Sequence, residues 1–293
     1  METKKQDKVT TETLAKNIEQ FSYHGGYQPS VVFDDLLRYI INGYTLPEKG
    51  NGIKGWGYKK EENRWFWEMA GKLAIAMKPE IEKRGWYDVL GGIYESIIAG
   101  KSRRSYCGQF FTPIDLCDLM TEITTYTADD KRGGVVGDPC CGSGRTLLSF
   151  NAKHGGHYFI AEDLDETCAM MTVVNFLYHG IRGEVVWHDA LCIEPVWAVW
   201  KVNNNIRNPF FKFFGIPHVE PISWDESWLG RSWKNGEERT RLRSKLQDNV
   251  RRLENQLKSF RSITNPSAQI QAKIHHLQAQ VDKIQKVIKQ SYS

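Results

Sequence analysis

The sequence predicts an α/β protein: a doubly wound, Rossmann-like sheet behind a helical N-terminal region and ahead of a basic C-terminal coiled-coil hairpin. Three observations carry this prediction. Apolar residues at helical spacing fill much of the first hundred positions, β-branched runs alternate with helical patterns over 134–187, and two heptad seams follow residue 236. The expected divisions are a helical region over 1–105, an α/β unit over 106–230 and the hairpin over 231–293.

Segments 30–42 and 64–78 read as amphipathic helices. Between them, 47–61 is Gly-rich and basic, with Trp56 and Tyr58 interleaved. It reads as a loop, and stacking on nucleic acid is the alternative. A helix over 86–98 leads into Gly108-Gln109-Phe110-Phe111-Thr112-Pro113, and a further helix starts at Ile114. Strands are expected at 134–138, 158–163 and 184–187, with helices at 143–152 and 166–179 between them and a fourth strand at 194–202. Such alternation implies a parallel sheet with its ligand at the carboxyl ends of the strands. The later strands that would complete a seven-stranded sheet are not evident. In the tail, Leu246, Val250, Leu253, Leu257 and Phe260 step 4-3-4-3, and Ile270, Ile274, Leu277, Val281, Ile284 and Ile288 repeat the pattern. Thr264-Asn265-Pro266-Ser267 interrupts them, so two helices should fold into an antiparallel hairpin.

Composition narrows the class. At 293 residues with 25% charged and 41% hydrophobic residues, the chain is of ordinary globular composition and long enough to bury a sizeable core. No apolar run approaches the roughly 18 residues of a membrane span. The polar start lacks the apolar stretch of a secretory signal. Six cysteines show no C-x-x-C pair and no metal-ligand spacing, so reduced thiols in the cytoplasm, and no metal, are expected. The net charge of +4 is unevenly spread. From Arg231 onward there are 14 Lys/Arg against 5 Asp/Glu, whereas the preceding 230 residues hold 25 against 30. A basic tail on an acidic body suits nucleic acid or an acidic partner; a solvated helical face is the plainer alternative.

The run from Val135 to Arg145 (VVGDPCCGSGR) delivers an aspartate to a glycine turn that opens a helix. Glycines allow close backbone approach to a ligand, and the helix start offers free N–H groups. The spacing is not the G-x-G-x-x-G of dinucleotide sites. Asp138 at the turn would repel a pyrophosphate but could face the ammonium of a methionine, which favours S-adenosylmethionine (SAM). A glycine-rich turn without a ligand is the alternative.

Taken in order, GQFFTP (108–113), DPCCGSG (138–144) and the acidic strand end ahead of NFLYHG (175–180) resemble the N6-adenine DNA methylases. The likeness is greatest to the modification subunit of type I restriction–modification systems. Asp88-Val89-Leu90-Gly91 with Tyr94-Glu95 resembles the D-x-L-G-x-x-Y-E helix of that family, so the resemblance covers about residues 85–192. It implies a SAM-binding methyltransferase sheet and a site-specific adenine-N6 DNA methyltransferase. Phe110, Phe111, Thr112 and Pro113 would close over the methionine end of SAM. Asp138 would receive its ammonium, and Gly142 and Gly144 would let the backbone pass. Asp163 would accept from the ribose hydroxyls, and Asp189 from the adenine amino group. Asp165 should cap the following helix, and Asn175 and His179 should be structural. Family members carry N-P-P-[YF] after the fourth strand; here Asn208-Pro209-Phe210-Phe211 stands at that spacing, with Phe in the third position. Asn208 and Pro209 would then bind the target amino group and Phe211 would stack on the extruded base. Implied partners are DNA and a specificity or restriction subunit, with oligomerisation through the coiled coil. The alternative is a catalytically impaired SAM-pocket protein that acts as a DNA- or partner-binding module.

Overall fold

The computed structural model describes residues 9–45, 58–97, 111–125, 133–192, 195–204, 217–262 and 268–290. Two compact units divide the chain, one ending at Ser227 and the other beginning at Trp228.

The first unit opens with four helices: α1 (Thr11–Gly25), α2 (Pro29–Gly43), α3 (Lys60–Arg84) and α4 (Val89–Ile97). The first of these has no counterpart among the expected segments. Its start is set by Thr10, which exchanges hydrogen bonds with Thr13, and its end by Gly26 in the left-handed region. Along α2, Val32, Phe33, Leu36, Leu37, Ile40 and Ile41 are buried, a stripe at helical spacing. Tyr58 is no free stacking platform: it packs among Phe21, Tyr27 and Phe66 and donates to Asp35 at 2.8 Å. Apolar rings at close range gain more from one another than from exposure. Trp56 lies outside the described residues.

Helix α5 (Ile114–Thr125) precedes β1 (Val135–Asp138), α6 (Arg145–Lys153), β2 (Tyr158–Asp163), α7 (Glu166–Tyr178) and β3 (Gly183–His188), close to the predicted positions. Strands β1, β2 and β3 are parallel neighbours joined by helical crossovers. The expectation of a doubly wound parallel sheet holds only to this point. Strand β4 (Val196–Val202) runs antiparallel along β3, and β5 (Val219–Pro221) antiparallel along β4, so the sheet is mixed and its order is sequential, β1 to β5. The reason is chain length. Seven residues separate β3 from β4, whereas a parallel crossover needs about a dozen or more. The polar run after β4 also has a local cause: Asn203 turns into the left-handed region and its side chain donates to the carbonyls of Phe176 and Ile181.

One continuous core joins both halves of this unit. Leu14, Ile18, Phe33, Phe66 and Leu90 from the helices, with Trp86 from the link between α3 and α4, pack in the same cluster as Phe159, Met171, Val174 and Val185. Helix α7 is buried along nearly its whole length, between the sheet and α2. That is why it lacks an amphipathic pattern.

The second unit holds α8 (Trp228–Arg261) and α9 (Ala268–Gln290). Val250, Leu257, Leu277 and Val281 are buried between them, flanked by Leu253, Phe260, Ile274 and Ile284. Hydrogen bonds from Arg261 to Gln278 and from Gln285 to Glu254 mark the helices as antiparallel. Helix α8 starts at Trp228, earlier than the heptad pattern. Thr264 to Ser267, like the side chains of Ile270 and Ile288, lie outside the described residues. No described helix is long and apolar enough to cross a membrane.

Candidate functional site

Three aspartates stand at the carboxyl ends of three adjacent parallel strands. Asp138 ends β1, Asp163 ends β2, and Asp189 follows β3 directly. Asp138 accepts from the Cys140 N–H at 3.0 Å and from the Thr146 hydroxyl. Asp163 accepts from the Gly142 N–H at 2.7 Å and the Asp165 N–H at 2.9 Å. Burial raises the Asp163 pKa above the usual 3.8, against those two hydrogen bonds, which lower it. Asp189 accepts from the Leu191 N–H at 3.0 Å, forming a tight turn. An ionised carboxylate has about four acceptor positions. Asp138 and Asp163 each fill two with these contacts.

Gly142 stands in the left-handed region (φ +57°), and a Cβ there would come within 3.0 Å of the Phe111 ring. Gly144, also left-handed, is the N-cap of α6. So Phe111 from the GQFFTP loop lies against the glycine turn. The turn and Phe111–Thr112 line an open cavity with Asp138 on its wall. Asp163 and Asp189 are not part of that wall. Pro113 opens α5, its carbonyl accepting from Leu116 and Cys117. Burial keeps the Cys141 thiol well above its usual pKa, which suits a packing residue.

Beneath the cavity lies an arrangement that sequence reasoning missed. Arg145, 7% exposed, donates from Nε to Asp88 at 2.6 Å and from Nη2 to Glu95 at 3.1 Å. Its Nη1 reaches the Thr112 carbonyl at 3.3 Å, and the guanidinium lies 5.2 Å from the Phe111 ring centre. Asp88 is fully engaged. Its Oδ1 accepts from Gly91 N–H (2.8 Å) and Asn175 Nδ2 (2.9 Å), and its Oδ2 from Ser143 Oγ and Arg145 Nε, each at 2.6 Å. Gly91 is required by this close approach: a Cβ there would lie 2.0 Å from Asp88 Oδ2. The pairing thus ties the D-x-L-G-x-x-Y-E helix to both the glycine turn and the aromatic loop. The spacing of Asp88, Gly91 and Glu95 was the available signal; their common partner was not.

Asp165 caps α7 by accepting from Cys168 N–H at 3.0 Å. Asn175 is buried, its amide shared between Asp88 and the Ser143 carbonyl. His179 accepts from the Tyr87 N–H at Nε2, so its Nδ1–H faces the Asn175 carbonyl. Burial depresses its pKa below 6.5, in keeping with a neutral ring. All three are structural. Phe110, Asn208, Pro209 and Phe211 lie outside the described residues.

The family model described as N-6 DNA Methylase matches residues 86–214. No curated protein matches the chain. Among solved structures, the chain is similar to the methyltransferase subunit of a type I restriction–modification system from Streptococcus thermophilus. Identity is 20% and the TM-score 0.29, over 59% of this chain and 37% of that subunit.

Proposed function

From the match of residues 86–214 to the N-6 DNA methylase model, we propose that the chain is a SAM-dependent adenine-N6 DNA methyltransferase, or the methylase subunit of a restriction–modification assembly. One observation carries the reading: Asp138 and Asp163 end adjacent parallel strands at the glycine turn, Asp138 on the wall of the Phe111–Gly142 cavity and Asp163 bonded to the Gly142 N–H. The residues fit the cofactor by valence. After their internal hydrogen bonds, Asp138 keeps two acceptor positions for an ammonium and Asp163 keeps two for a ribose diol. Asp189 would accept from the adenine amino group. Phe110 to Pro113 would cover the methionine end, with Gly142 and Gly144 keeping its floor flat. Bound there, SAM supplies an electrophilic methyl group on a sulfonium. Asn208 and Pro209 would accept from the hydrogens of the target amine and concentrate its lone pair, while Phe211 stacks on the extruded base. The basic residues of α8 and α9 would hold DNA phosphates or dock a specificity or restriction subunit, with pairing of hairpins as a route to oligomers.

A second reading keeps the pocket and drops the transfer, leaving a module that binds DNA or a partner. One observation favours it: Phe210 stands where the family tetrad has its second proline.

Calorimetric titration of the whole chain with SAM tests the pocket. Micromolar binding is expected; its absence at millimolar SAM would overturn the pocket and leave the basic hairpin as the working part. Asp163→Ala should weaken binding by about 1–3 kcal/mol, the scale of unmade hydrogen bonds to a charged group. Because burial raises the Asp163 pKa, affinity should decline on acidification at a pH above the usual 3.8. Asn208→Ala then separates the readings, since it abolishes methyl transfer in the first and changes nothing in the second. Charge reversal at the exposed Arg251 and Arg252 should lower DNA affinity and flatten its salt dependence; an unaltered slope would remove the hairpin from the DNA surface.

A further inference from the structure

The acidic turn that ends β2 is held from outside the α/β region. Helix α2 meets the first turn of α7 at two points. Thr167 Oγ1 donates to Asp34 Oδ1 at 2.8 Å, and Arg38 Nη2 pairs with Glu166 Oε2 at 3.1 Å. The Arg38 fork is itself braced, because its Nη1 lies 3.3 Å from Asp35, which also accepts from the Tyr58 hydroxyl. Two residues before Thr167, Asp165 caps α7, and its N–H donates to Asp163 Oδ1. The other oxygen of Asp163 is fixed by the Gly142 N–H. The plane of the Asp163 carboxylate is therefore set by two N–H groups, one on the glycine turn and one on the α7 cap. The second lies at the cap of the helix turn that α2 contacts directly.

Isolated contacts of this kind at a surface are worth little. Here they oppose a repulsion. Burial raises the pKa of Asp34, and the charges of Asp165 and Glu166 raise it further, so α2 presents an acid to an acidic turn. The Thr167 hydroxyl and the Arg38 guanidinium act against that repulsion. The two contacts tie the first turn of α7, and with it the Asp165 N–H, to α2.

We propose that Asp34 and Arg38 are positioning residues for Asp163, setting through the first turn of α7 the orientation in which its carboxylate accepts a ribose diol. The proposal rests on the SAM-pocket reading and deepens it: the N-terminal helices tune cofactor affinity at the ribose.

The experiment compares two ligands on the whole chain, S-adenosylhomocysteine and its analogue lacking both ribose hydroxyls. The ratio of their dissociation constants measures ribose recognition alone. Wild type should prefer the hydroxylated ligand, and Asp163→Asn should remove the preference. Asp34→Ala and Arg38→Ala should each cut it by about tenfold, the scale of one well-made charged hydrogen bond, with the affinity for the analogue unchanged. Asp34→Asn, whose amide oxygen still accepts from Thr167, should restore most of it. A preference that survives both alanine variants overturns the proposal. So does an equal loss of affinity for both ligands, which would mark a merely structural contact. Were Asp163→Asn to keep the preference, or wild type to bind neither ligand, the pocket reading itself would fall and take the proposal with it.

Discussion

Arg145 is held by four groups drawn from two other parts of the chain: Asp88 and Glu95 from one, the Thr112 carbonyl and the Phe111 ring from the other. A buried guanidinium in this position ties the aromatic loop to the glycine turn through directional bonds, which apolar packing alone would not supply. Arg145→Ala should destabilise the fold by about 3–5 kcal/mol, because it strands the buried Asp88 carboxylate without its cation. Arg145→Lys should recover little, since one ammonium cannot span the positions of a planar fork. Urea unfolding of the three proteins checks both outcomes. At this scale the glycine turn and its aspartates were legible, because their meaning lies in spacing over a dozen residues. Arg145 was not, because Asp88 and Glu95 stand 57 and 50 residues away in sequence.

Among the elements, the strands and helices of the βαβαβ region appear within a few residues of their predicted bounds. Apolar runs mark them in the sequence, and capping residues mark ends, such as Asp165 before α7. The direction of β4 is a different matter. Periodicity marks a strand but not its sense, and the short link from β3 decides the antiparallel pairing. Strand β5 was missed because three residues carry no period. In the second unit the buried seam is narrow, so each of its members carries a large share. Leu257, 4% exposed, packs with Val250, Leu277 and Val281. Leu257→Ala should cost about 2–5 kcal/mol and lower the melting temperature of the helical signal from α8 and α9. A circular dichroism melt that does not move would show that this seam does not hold the pair together.

For the first unit as a whole, the decisive feature is its shared core. Residues from α1 to α4 and from the sheet region enter one cluster, and Trp86 and Arg84 add polar ties to Asp118 on α5. The helices before residue 86 are therefore part of the body that carries the pocket. A fragment beginning at residue 86 would expose the faces of α4 and α7 now covered by α1 and α2. Such a fragment should show no cooperative unfolding transition and no SAM binding. A cooperative melt with retained binding would show that the α/β region stands alone.

The sequence by itself determined much of the local architecture: most of the helices and strands, where the glycine turn falls, and which aspartates end the strands. These follow from interactions among residues close in the chain, so spacing and residue type suffice. The tertiary structure decided what meets at a distance. It brought Asp88 and Glu95 to Arg145, laid α2 against the first turn of α7, and turned β4 back along β3. Such encounters depend on how whole faces pack and how far a connection can reach, and no local pattern encodes either.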